Sequence, residues 1–131
     1  MFVTVVGVGF NGDFSSLENL TWKNIEYAIR QLNGEELGDI LLGVEADAPQ
    51  MMICGGENTD SYVCTITYDE ETYYILSEPR SSSDDMVLIP CGGVDGAFPR
   101  RHISSLESVI IAAKAFSERG ERDAGLNWIT E

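Results

Sequence analysis

The sequence predicts an α+β fold: an antiparallel β-sheet meander packed with two α-helices and finished by a short C-terminal strand. Three observations predict it. Short apolar runs broken by turn residues fill the middle of the chain, one amphipathic segment with helical spacing lies on each side of them, and no repeat or linker-like tract divides the 131 residues.

The elements follow in order. Phe2 to Val8 is rich in β-branched residues and reads as a strand closed by Gly7, Gly9 and Gly12. Thr21 is placed to cap a helix over residues 22–32, because Trp22, Ile25, Ala28, Ile29 and Leu32 recur on one face and Gly34 suits its exit. Between Asp39 and Gly93 the period changes, and Ile40–Val44, Met51–Cys54, Tyr62–Tyr68, Thr72–Leu76 and Met86–Pro90 read as successive strands. Asp69-Glu70-Glu71 predicts a tight hairpin connection, and Ser81-Ser82-Ser83-Asp84-Asp85 a longer exposed loop. Ser104-Ser105-Leu106-Glu107 reads as a capping box. Leu106, Val109, Ile110, Ala113 and Phe116 follow on one helical face, and Gly120 stops the helix. Gly125 to Ile129 is the final short strand.

The length suits a single domain spanning residues 1–131, and 44% hydrophobic with 23% charged residues is enough to build a core. The unusual quantity is charge: 22 acidic against 8 basic residues, a net −14. Residues 1–99 hold 17 acids against Lys23, Arg30 and Arg80, whereas residues 100–131 hold five of each sign, so the whole excess lies in the first 99 residues. Such a field repels nucleic acid and anionic membranes and speeds encounter with basic proteins. No apolar stretch is long enough to span a bilayer, and Met1 to Val6 lacks the basic start of a secretory leader. Cys54, Cys64 and Cys91 are odd in number and without metal spacing, which fits a reducing cytoplasm and thiols that act as small core hydrophobes.

Several motifs approach catalytic signatures and stop short. Gly7-Val-Gly9-Phe-Asn-Gly12 matches a dinucleotide fingerprint by letter, but Asp13 to Asn19 intervenes before the helix, so no helix N-terminus stands ready for a pyrophosphate. Pro90-Cys91-Gly-Gly-Val94 has half of a zinc-deaminase ligand pattern, with Val94 where the second thiolate would be. His102, the only histidine, comes after that segment and is followed by Ile103-Ser104 rather than a proton-shuttling glutamate. A Cys91 nucleophile with His102 as base rests on nothing beyond one residue of each type. No acidic run has the spacing of a calcium loop. The sequence therefore predicts no enzyme, no cofactor, no metal and no catalytic residue.

The candidate binding residues are the acids of the turns: Glu57 and Asp60 in one, Asp69, Glu70 and Glu71 in the next, and Asp84 and Asp85 in the serine loop. In a meander, alternate turns lie at the same end of the sheet, which would place Glu57 and Asp60 beside Asp84 and Asp85 as an anionic patch.

The segment from Ser104-Ser-Leu-Glu107 through Ala112-Ala-Lys-Ala-Phe116 and Gly120 to Leu126-Asn-Trp128 resembles the C-terminal signature of an immunity-protein family from bacterial polymorphic toxin and contact-dependent inhibition systems. Tyr73-Tyr74 within a strand of the meander is similar in layout. The proline that usually precedes the final strand is replaced by Asp123-Ala124-Gly125. The resemblance implies a cytoplasmic bacterial α+β protein that neutralises a cognate toxin, the family being associated especially with nucleic-acid deaminases. It covers about the last quarter of the chain and rests on Leu106, Ala113, Phe116 and Trp128, all expected in the core.

Charge and resemblance lead to one expectation: an antitoxin that covers the basic active-site groove of a deaminase or nuclease, binding neither nucleic acid nor membrane itself. Two others stand beside it. One is a small-molecule-binding α+β domain built on Cys91 and the glycine-rich first turn; the other is an acidic, nucleic-acid-mimicking regulator without a toxin. Between a monomer and a homodimer the sequence does not choose.

Overall fold

A computed structural model describes residues 1–11, 13–78, 85–91 and 94–130. It is α+β, as the sequence predicts. The elements are β1 (Val5–Phe10), β2 (Asp13–Ser16), α1 (Trp22–Arg30), β3 (Leu37–Gly43), β4 (Gln50–Gly55), β5 (Tyr62–Thr67), β6 (Tyr73–Ser77), β7 (Met86–Cys91), β8 (Val94–Pro99), a 3₁₀ turn at Arg100–His102, α2 (Leu106–Arg119) and β9 (Asn127–Thr130). Seven strands form one antiparallel sheet in the order β2-β1-β3-β4-β5-β6-β9. The strands β7 and β8 form a separate two-stranded sheet.

Alternation of side chains along each strand separates the two faces of the large sheet. Val6, Ile40, Leu42, Met51, Ile53, Cys64, Ile66 and Leu76 lie on one face and are fully buried or nearly so. Both helices cover that face. From α1 come Ile25 and Ile29, and from α2 Val109, Ala112, Ala113 and Phe116. The alanines keep α2 narrow where it meets the sheet, and Phe116 fills the space beyond them, with the Phe2 ring edge-on at 5.8 Å. Leu106 and Trp128, also expected in the core, are half-buried at its margin, and the indole N–H of Trp128 donates to the Asp123 carbonyl at 3.1 Å.

Each helix ends as local chemistry dictates. Thr21 Oγ1 accepts the Asn24 N–H at 3.2 Å to start α1. Gly120, at φ +71°, closes α2 in the left-handed conformation and donates its N–H to Phe116. A side chain there would also run into the Phe2 ring. The expected start of α2 is corrected. Ser105, not Ser104, is the N-cap, and Glu107 is not its reciprocal partner. Ser104 is buried and donates its hydroxyl to the Leu76 carbonyl at 2.9 Å. The carboxylate that completes the cap comes from Glu78, just past β6: its Oε1 accepts from Ser105 N at 3.1 Å, Ser105 Oγ at 2.6 Å and Ser108 Oγ at 2.8 Å. The chemistry of a capping box is present, with its acid supplied across space.

The meander is corrected in one respect. Met86 to Cys91 does not continue the sheet; β9 occupies the place beside β6, with Leu76 opposite Trp128. The chain after Ser77 instead reaches β7, which turns back as β8, a strand not expected from a segment with Gly96 inside it and Pro99 at its end. This hairpin is tied to the large sheet by a disulfide between Cys54 of β4 and Cys91 of β7, with Cα atoms 5.3 Å apart. The expectation of unpaired thiols thus holds only for Cys64, which is fully buried and whose thiol pKa burial pushes up to about 12. Because disulfides persist where thiols are not kept reduced, the cysteines no longer argue for a reducing compartment. Among the described residues no helix is long and apolar enough to cross a membrane.

Two predictions test this packing. Phe116→Ala is expected to cost about 3–5 kcal/mol in denaturant unfolding, while Trp128→Ala at the margin costs about 1–2 kcal/mol; equal losses would contradict the placement of the two rings. Glu78→Ala is expected to cost about 1–2 kcal/mol. Combined with Ser105→Ala it should cost less than the sum, because both variants remove the same cap.

Candidate protein-binding surface

The strand directions fix where the acidic turns lie. The connection from β4 to β5 and the exit from β6 share one end of the sheet, and the connection from β5 to β6 is at the other. Glu57 and Asp60 are therefore separated from Asp69, Glu70 and Glu71 by the length of the strands, and these five acids form two surfaces rather than one.

At the first end, the turn is built by Asn58, whose side-chain oxygen accepts the Asp60 N–H at 2.9 Å. The Leu106 N–H donates to the Thr59 carbonyl at 2.8 Å, which latches this turn to the start of α2. Glu57 and Asp60 are exposed. Asp60 lines an open groove of about 630 Å³ with Arg30, Glu107, Ile110 and Ile111 among its other walls. Asp85 is exposed just before β7, and its carbonyl accepts the Arg100 N–H at 2.8 Å, so the acid lies beside the basic Arg100-Arg101-His102 turn. Asp84, with the serines that precede it, lies outside the described residues.

At the second end, the carboxylates are exposed, but one already has structural work. Asp69 Oδ1 accepts the N–H groups of Glu71 at 2.9 Å and Thr72 at 2.8 Å, and Thr67 Oγ1 accepts that of Glu70 at 2.8 Å. Glu70 sits at φ +62°, a conformation costly for a residue with a Cβ, and these bonds hold it there. The backbone donors at Thr72 and then Glu71 hold the Asp69 carboxyl below its usual value. Beside this turn lies a cluster that the sequence did not single out: the Arg122 guanidinium stacks 3.7 Å from the centre of the Tyr74 ring, and Tyr68 meets Tyr74 edge-on at 6.1 Å. Burial raises the Tyr68 phenol and the Arg122 charge opposes the rise. Tyr68 and Arg122 border an open cleft of about 700 Å³ that also includes Trp128. Only the doublet Tyr73-Tyr74 and an arginine near the C-terminal strand hinted at it.

The rejected motifs take structural roles. Gly9 lies in β1 and the chain returns at once as β2, so the glycine-rich segment joins two strands and feeds no helix; Gly12 lies outside the described residues. Cys91 is joined to Cys54 and is not a free nucleophile. His102 ends the 3₁₀ turn. Among the described residues, no three His, Cys, Asp or Glu side chains converge as metal ligands. Compared with protein-family models and with curated proteins, the chain matches none.

The Asp69 turn carries a pH signature. A carboxyl held below its unfolded value stabilises the fold above the ordinary aspartate range, and that contribution is lost as pH falls through the lowered value. Asp69→Asn should therefore be less stable than the native chain at pH 7, with the difference vanishing at strongly acidic pH in thermal unfolding. A difference that persists there would show that the charge is not what matters.

Proposed function

We propose that this chain is an immunity protein that binds and inhibits a cognate, basic toxin acting on nucleic acid, a deaminase or a nuclease, by covering its active-site groove. The observation that carries the reading is the net −14 concentrated in the first 99 residues, joined to a C-terminal segment resembling an immunity-protein family. A protein that handles DNA or RNA needs a positive groove, and an acidic domain competes for it directly with the phosphate backbone. The exposed Glu57, Asp60 and Asp85 suit such a groove at one end of the sheet, and Glu70 and Glu71 at the other. General acidity raises the association rate, and desolvated contacts around an apolar or aromatic anchor supply the affinity.

The test is co-expression with the protein encoded immediately upstream. The chain should rescue growth from that protein and co-purify with it, and association should slow steeply as salt rises. Reversing Asp84 and Asp85 to lysine should weaken the complex by about tenfold or more, against little change on reversing Glu18 and Glu121. Absence of both rescue and binding would refute the reading; equal effects of the two reversals would mean that only bulk charge counts.

A further inference from the structure

The helices cover one face of the large sheet, and the other face is only partly covered. Register assigns that second face strand by strand: Phe14 on β2, Val5, Gly7 and Gly9 on β1, Asp39 and Leu41 on β3, Met52 and Cys54 on β4, and Val63 on β5. The β7–β8 hairpin attaches here through Cys54–Cys91, and Cys54 and Val63 are buried. On β5 and β6 this face is closed, with Thr67 and Ile75 buried, whereas on β2, β1, β3 and β4 it is open away from the hairpin. Val5 is 38% exposed, Met52 40% and Phe14 49%, with Leu41 half-buried between them. These side chains are contiguous: Leu41 pairs across to both Gly7 and Met52, and the Phe14 ring lies over Gly7 in the space a side chain there would fill.

At the border of this strip stands Asp39. Its carboxylate lies over Gly9, where any Cβ would overlap Oδ1, and across from Cys54. Among the described residues no hydrogen bond or ion pair reaches that carboxylate. Partial burial alone raises its pKa, with no cation to oppose it. An uncompensated, part-desolvated carboxylate beside an apolar strip costs stability in the free protein and is offset when a cation arrives. We propose that the uncovered strip of Val5, Phe14, Leu41 and Met52 docks a basic protein, and that Asp39 receives an arginine or lysine side chain of that partner.

The proposal rests on the reading of the chain as a binder of a basic toxin, and places the affinity-bearing contact on the sheet face, leaving the acidic turns to steer the encounter. Charge decides the occupant. A second copy would set two domains of net −14 against each other and bury Asp39 without a counter-charge, whereas a basic segment with apolar side chains answers both features.

Two measurements test it. First, the ¹⁵N-labelled chain is titrated with the capped tetrapeptide Arg-Leu-Arg-Leu. Amide shifts should centre on Val5, Asp39, Leu41 and Met52 and weaken about fivefold or more in Asp39→Asn, a variant expected to fold because it removes an uncompensated charge. Shifts confined to residues 57–60 and 69–71, unchanged by Asp39→Asn, would overturn the proposal. Second, the upstream-encoded protein is bound to native, Asp39→Asn and Met52→Lys chains, with losses of about tenfold or more expected for both variants. Native-like binding by both overturns the sheet face while leaving the antitoxin reading intact. Failure of the native chain to bind that protein refutes the antitoxin reading, and the peptide titration then decides the surface alone. A concentration-dependent dimer abolished by Met52→Lys would assign the strip to a second copy and overturn the proposal.

Discussion

Everything in this protein depends on burying one face of a seven-stranded antiparallel sheet beneath two helices. Because side chains alternate, that burial dictates every second residue from Val6 to Leu76 and leaves the intervening ones to face away. The helices meet the requirement with different means. The first inserts two isoleucines, and the second approaches on alanines and fills the remaining depth with Phe116. Nothing of comparable size covers the opposite face. There the β7–β8 hairpin shields one region, held by a covalent bond rather than by a broad apolar core of its own, since Met86, Leu88 and Val94 are exposed.

Periodicity made the core legible, because an apolar repeat of two or of 3.6 is a property of neighbouring residues. The strands β3 to β6, both helices and the final strand are each recognisable from their own letters. Sequence reading lost its hold wherever a partner was chosen at long range. Ser104-Ser105-Leu106-Glu107 contains the letters of a capping box, yet Ser104 bonds to Tyr62 and Leu76, the cap moves to Ser105, and the end of β6 delivers the Glu78 carboxylate to the Ser105 N–H and hydroxyl. Met86 to Pro90 has the composition of another sheet strand, but the edge beside β6 goes to β9, and no local signal ranks those two claimants. The Cys54–Cys91 pair is hidden from local reading for the same reason: the two residues become neighbours only through the hairpin's packing.

The acidic residues show a similar division between composition and placement. The excess in the first 99 residues is evident from counting, but their roles differ with what surrounds each one. Asp69 accepts two backbone donors at Oδ1, Asp85 sits beside a basic turn, and Glu57 projects from a turn latched to α2. Asp39, unremarkable in the letters between Gly38 and Ile40, becomes distinctive once register sets it over Gly9. Of the residues marked by sequence, Glu57 and Asp60 lie at one end of the strands and Asp69, Glu70 and Glu71 at the other, Asp85 precedes a strand outside the large sheet, and Asp84 lies outside the described residues.

The disulfide has a topological consequence. Cys54 and Cys91 are separated by 37 positions, so the bond closes a ring of covalent chain containing β5, β6, β7 and the turn acids from Glu57 to Asp85. Limiting the extended conformations of such a loop stabilises a fold by roughly 3–4 kcal/mol in the chain-entropy view. A single peptide-bond cut anywhere inside the ring would leave both halves joined through sulfur. The sheet would then keep its outer hairpin, and the break would become visible only on reduction.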